Sequence, residues 1–220
     1  MRSGSTIITF IALVTYGCSA FGEAARDRLG AKLAGRKPSL QLRCETPSAA
    51  PGPPEAVVSP ARLMVRGGSD PGRPAVVGEL FTWGTLPGRE TPIVLAGSAN
   101  DVLATDVKRI LLRNGFTLTE DAQAASAVLD TAIAGLDVKG VPGQLTDMKG
   151  TIRARAAFHA ALTRDATVVW KDYFEGDDEM RVAYFLTSDS ERTLGRAYCR
   201  ALDWFEEAVR APTLRGAMAP

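Results

Sequence analysis

The sequence predicts an α+β fold: a mainly antiparallel sheet with two long helices packed on one of its faces. Two observations carry this expectation. Residues 151–163 alternate, with Ile152, Ala154, Ala156, Phe158, Ala160 and Leu162 on one side and Thr151, Arg153, Arg155, Ala157 and His159 on the other. That period of two marks a half-buried strand, and Arg164-Asp165 turns it into the run 167–174 as a hairpin. Two segments, one after Ser98 and one after Ser188, carry apolar residues at helical spacing, and each needs a sheet to cover its stripe.

Taken in order, residues 62–66 form a short strand stopped by Gly67-Gly68. Residues 75–82 form a second, ending in the loop 84–88, and residues 92–96 lead directly into a helix. Ser98 and Asp101 give that helix a capping-box-like start, a hydroxyl and a carboxylate placed to satisfy free backbone donors. Val102, Leu103, Val107, Ile110 and Leu111 form its apolar face, and Asn114-Gly115 stops it. Phe116-Thr117-Leu118 restarts the sheet, and residues 128–138 continue it. A final helix starts near Ser188, which pairs with Glu191 as a second capping box. Leu194, Ala197, Tyr198, Ala201, Leu202, Phe205 and Val209 face inward, and Glu206, Glu207 and Arg210 face outward.

The folded domain is expected over residues 61–210, with a disordered tail over 211–220. Residues 19–60 read as a tether: six prolines and few large apolar side chains cannot offset the entropy of ordering. Within it, residues 39–44 alternate briefly and suggest a short edge strand. A basic stretch over residues 23–37 reads as a solvated, partly helical arm, with contact to anionic lipid as the alternative.

The N-terminus carries a charged head at Arg2, an apolar run over residues 6–14 and small residues near Cys18. This is the layout of an export signal, and the run is far short of the roughly 20 residues that span a bilayer as a helix. Gly17-Cys18 resembles the lipobox of bacterial lipoproteins, which makes residues 1–18 a lipoprotein-type signal ending at the lipobox cysteine and Cys18 the expected lipidation site and new N-terminus. An ordinary signal cut after Ala20, or an uncleaved anchor, are the alternatives. Ser19, rather than Asp, after the cysteine points by analogy to the outer membrane, with the domain facing the periplasm. Inner-membrane anchoring and the soluble periplasm stand behind it.

Composition is that of an ordinary globular domain, 45% hydrophobic and 23% charged with net charge +1. That gives no electrostatic case for nucleic acid. With Cys18 lipidated, Cys44 and Cys199 remain as a pair in an oxidising compartment, where a disulfide persists. A bridge and two unpaired thiols both fit the sequence.

Sites of chemistry are sparse. His159 is the single histidine, with no neighbouring Ser or Cys motif, so it reads as a surface or interface residue. The acidic run Asp172, Glu175, Asp177, Asp178 and Glu179 matches no calcium loop and reads as a solvated hairpin end. Arg153, Arg155 and His159 together form the candidate recognition face, suited to phosphate or carboxylate groups. Trp83 is a candidate exposed anchor, while Trp170 and Trp204 read as core. No cofactor or metal site is expected, and no enzymatic activity.

The order of elements resembles a family. A lipobox is followed by Gly78-Glu-Leu-Phe-Thr-Trp-Gly84, a helix ending in Asn114-Gly115-Phe116, a strand holding Ala132-Ile-Ala-Gly-Leu136, a long hairpin and a C-terminal helix. This is similar to the YajG-like bacterial lipoproteins, and more loosely to the LptE-like lipoproteins of lipopolysaccharide assembly. The first resemblance implies a small envelope protein without established catalytic residues. The expected role is a lipid-anchored, non-catalytic assembly, scaffolding or binding module of the cell envelope. Its expected partners are the membrane, through the N-terminal lipid, and an envelope protein, lipopolysaccharide or peptidoglycan. A lipid-transport accessory and a soluble periplasmic binding protein are the alternative roles, and a hydrolase is a more distant third.

Overall fold

The structure is a computed structural model that describes residues 39–44, 61–69, 76–80, 91–142, 150–183 and 185–218. Cys18 and Trp83 lie outside the described residues. The elements are β1 (Ser39–Leu40), β2 (Arg62–Gly67), β3 (Val76–Leu80), β4 (Thr91–Leu95), α1 (Ala99–Arg113), β5 (Thr117–Leu118), β6 (Ala127–Pro142), β7 (Gly150–Arg164), β8 (Thr167–Val182), α2 (Thr187–Arg210) and α3 (Pro212–Met218).

These strands form one mixed sheet, which corrects the expectation of a mainly antiparallel one. β6 is its organising strand. From Val128 to Pro142 it pairs antiparallel with β7, with a bulge between Ile133 and Gly135. On its other side it pairs parallel with β2 at one end and with β3 at the other. β1–β4 and β2–β5 are parallel as well. The physical reason lies in the connections. A turn joins β7 to β8, so that pair is antiparallel, whereas β2 and β6 are separated by α1, a crossover long enough to bring strands back in parallel.

The β7–β8 hairpin follows the sequence pattern. Asp165 and Ala166, its two central residues, have φ of 46° and 60°, the left-handed pair of a type I′ turn that matches strand twist. Alanine is a poor occupant there, because its Cβ crowds the carbonyl. Ala166→Gly is therefore expected to stabilise the protein by about 0.5–1 kcal/mol, read as a rise in the urea midpoint without a change in slope. An unchanged or lowered midpoint would contradict the turn assignment.

Both long helices cover the same face. In α1 the Ser98 hydroxyl accepts from the Asp101 N–H at 3.0 Å, and Leu103, Val107, Ile110 and Leu111 are buried as expected. α2 departs from expectation at its start. Its N-cap is Leu186 with no side-chain cap, so Ser188 lies inside the helix and forms no capping box. The two helices meet through Tyr198, whose hydroxyl donates to Asp106 at 3.0 Å. Burial, then Asp106, hold that phenol well above its usual titration range.

Three aromatic rings pack together where α2 crosses the hairpin. Phe158 and Phe174 have ring centroids 5.2 Å apart, and Phe205 stands edge-on to Phe174 at 5.3 Å. Each such aromatic pair contributes about 0.5–1.5 kcal/mol beyond its buried area. α2 rests directly on the β8 backbone at Gly176, where an added Cβ would lie 2.2 Å from the Ala197 carbonyl oxygen.

Both ends of the folded region extend beyond the expected limits. Residues 39–44 belong to the core unit and not to a tether: Leu40 and Leu42 are buried, and the Ala96 N–H donates to the Leu40 carbonyl at 2.7 Å. Cys44 is bonded to Cys199 on α2, with a Cα–Cα separation of 5.0 Å. Gly195, one turn earlier on α2, lets the Arg43 carbonyl approach within 2.6 Å of where a Cβ would stand. At the other end, the expected disordered tail is instead α3, because Leu214 and Met218 are fully buried. Arg164 fastens it by donating to the Ala217 carbonyl at 2.9 Å.

Candidate functional site

The open sheet face carries the predicted recognition residues. Arg153, Arg155 and His159 are exposed on β7, with side chains directed away from the helices, as the alternation requires. β8 places acids and an aromatic opposite them. Glu179 is directly across from Arg153 and Tyr173 directly across from His159. Arg153 donates to Glu179 at 2.9 Å. Arg155 donates to Glu175, and the Tyr173 hydroxyl donates to the same carboxylate oxygen at 3.0 Å. His159 and Tyr173 rings sit 5.0 Å apart.

This arrangement alters the chemistry of the face. The hydrogen bond from Arg155 is the first reason the Glu175 carboxyl lies below its usual range, and the same bond raises the Arg155 guanidinium. Arg66–Asp130 at 2.7 Å and Lys139–Asp137 at 3.2 Å extend the alternation on neighbouring strands. The face therefore presents paired charges and not a row of free guanidiniums. Solvent-exposed pairs of this kind contribute about 0–1 kcal/mol each. The acidic run is correspondingly no hairpin end. It lies along β8, and Asp178 is buried between Arg196 and Arg200 of α2, at 2.8 and 2.9 Å.

Among the described residues β8 pairs with β7 alone, which leaves its other edge open. Two of its backbone groups are engaged by side chains: Tyr173 N–H donates to Asp172 Oδ1 at 2.8 Å, and Arg200 donates to the Asp177 carbonyl. Such contacts blunt an edge against further strand pairing.

Two more expectations are corrected. Glu206 is not outward; it is buried and bound by Arg113 at 2.8 Å, Asn114 at 3.0 Å and Arg210 at 2.7 Å. Burial, then Glu206 nearby, push the neighbouring Asp203 carboxyl above its usual range. Trp204 is not core but 58% exposed, since it falls on the outer side of α2, whereas Trp170 is partly buried against the core. Among the described residues no group of three or more potential metal ligands converges, and no helix is long and apolar enough to cross a membrane.

A second row of arginines lies outside the predicted face, on α2. Arg192, Arg196 and Arg200 recur every four residues along the exposed side of α2, and Trp204 continues the spacing. A shallow crevice beside them is lined by Gln41, Arg43, Glu191, Arg192, Gly195 and Arg196. The four-residue spacing was visible in the sequence. The contribution of Arg43 was not, because it depends on the disulfide and on the close approach at Gly195.

No family model matches the chain, and no curated protein matches it. Solved structures do. Protein XCC0632 from Xanthomonas campestris, assigned to family DUF330, aligns with a TM-score of 0.50 at 17% identity, covering 78% of this chain and 91% of that one. A minor lipoprotein from Acinetobacter baumannii aligns at 0.37 and 11% identity, covering 54% and 88%. Lipoprotein GNA1162 from Neisseria meningitidis aligns at 0.32 and 9% identity, covering 67% and 99%. The likeness to the Xanthomonas protein is one of fold.

Proposed function

We propose that this chain is a lipid-anchored protein of the bacterial cell envelope, exported and held by Cys18, with a non-catalytic domain that binds or scaffolds an envelope component. The Cys44–Cys199 bond carries the reading. It closes the start of the compact unit onto its longest helix, and structural disulfides persist in oxidising compartments outside the cytosol. An apolar leader ending in Gly17-Cys18 supplies the route to such a compartment. The YajG-like order of elements adds the expectation of a small envelope lipoprotein, and Ser19 favours the outer membrane with the domain in the periplasm. Buried carboxylates at Asp106, Asp178 and Glu206 each meet an arginine, which gives them a structural use.

Metabolic labelling with a fatty acid tests the anchor. The native protein is expected to take up label and Cys18→Ser to lose it. Full labelling of the variant would end the lipoprotein reading.

A further inference from the structure

We infer that the open edge of β8 and the adjoining side of α2 form an interface for a second copy of this chain, related by a two-fold axis at Phe174 and Trp204. β8 is 16 residues long and, among the described residues, lacks a neighbour on one side. Side chains reach Tyr173 N–H and Asp177 C=O there, so the odd-numbered residues turn their backbone groups outward. An antiparallel copy of β8 with Phe174 opposite Phe174 sets those residues face to face as hydrogen-bonded pairs. Lys171 then meets Asp177 and Tyr173 meets Glu175, each twice about the axis. No like charges stand opposite one another. With the axis moved to Glu175, that residue meets itself and Asp172 meets Asp178, and like charges directly opposed are destabilising. With the axis moved to Tyr173, Asp172 faces the apolar Phe174.

α2 repeats this symmetry in the layer above. An added Cβ at Gly176 would lie 2.8 Å from Arg200 Cβ, and Phe205 stands edge-on to Phe174. Trp204 is therefore level with Phe174, and it continues the Arg196–Arg200 row on the side of α2 that overhangs the edge. It is 58% exposed. The axis that pairs the strands brings Trp204 against its own copy, and turns Arg200 towards Glu207 of the second copy; both charged residues are exposed. A central indole within a rim of paired charges is the layout of an interface hot spot. The two contacts that blunt the edge come from exposed side chains, Asp172 and Arg200. Strand hydrogen bonds replace both on pairing, and Arg200 keeps its ion pair with Asp178.

The test uses the mature chain from Ser19, exported behind a cleavable signal so that no acyl group is attached; it retains the whole core and both bridged cysteines. Sedimentation velocity across a dilution series reads its mass, which is expected to pass from two copies to one. Glu175→Pro removes an outward N–H, a change an edge strand tolerates, and should leave a single copy with the native circular dichroism. Trp204→Ala should weaken pairing at least about 30-fold. Lys171→Asp and Asp177→Lys each set like charges opposite one another and should weaken it about tenfold. The two together restore opposite charges and should return it to within about three-fold of native. That rescue fixes the register, which a general loss of folding would not reproduce. A single copy at every concentration, an assembly of another size, native pairing in Glu175→Pro or Trp204→Ala, or no rescue in the charge swap would each overturn the inference. Because the assayed chain carries no lipid, its outcome is independent of acylation at Cys18.

Discussion

Replacing Cys44 and Cys199 with alanine is expected to lower the unfolding free energy by about 3–5 kcal/mol while leaving the fold in place. The bridge joins residues 155 apart in sequence, so most of the chain lies within the loop it closes. Chain-entropy arguments give the largest effects for loops of this size. The folded state should survive, because Leu40 and Leu42 remain buried and β1 remains paired to β4 without the bond. The loss thus comes chiefly from a freer unfolded chain. Urea unfolding of the oxidised protein, the reduced protein and the double variant measures it. The last two should agree and fall below the first. Coincident midpoints for all three would remove the bridge from the account of stability.

The second large effect is expected at Glu206. Glu206→Ala should cost about 3–5 kcal/mol, because it strands a cation in a poorly solvated place. The Arg113 side chain is only 23% exposed and finds its carboxylate in Glu206, while Arg210 and Asn114 converge on the same group. This cluster ties the end of α1 to the end of α2. Arg113→Leu combined with Glu206→Leu should recover much of the loss, since replacing both charges removes the desolvation cost along with the attraction. Thermal or urea unfolding of the single and double variants tests this. A loss under about 1 kcal/mol for Glu206→Ala would show the cluster to be as weak as a surface pair.

Much of the fold was legible because it is written in local periodicity. The hairpin of β7 and β8, the cap of α1 at Ser98 and the buried stripe of α2 all follow from residues close in sequence. The sheet's parallel pairings were not legible. Leu63 meets Ala127 and Gly78 meets Val138, and no local pattern records which distant strands become neighbours. The same limit explains Glu206. By spacing it belongs on the outer side of α2, yet Arg113 arrives from α1 and draws it in. It also explains the candidate face. Arg153 and Arg155 follow one another along one strand, whereas Glu175 and Glu179, which neutralise them, come from the next. For Trp204 the reason is the opposite: aromatic character points to the core, whereas its helical position puts it on the outer side.

The proposed anchoring of an exported domain through Cys18 is open to direct measurement. Mass spectrometry of the N-terminal peptide of protein recovered from the producing cells tests it most directly. The account predicts a mature chain that begins at Cys18 and bears a thioether-linked, acylated glycerol, recovered from the membrane fraction. A peptide running unbroken from Met1 through Cys18, or a chain that begins at Phe21 with no lipid, would contradict it.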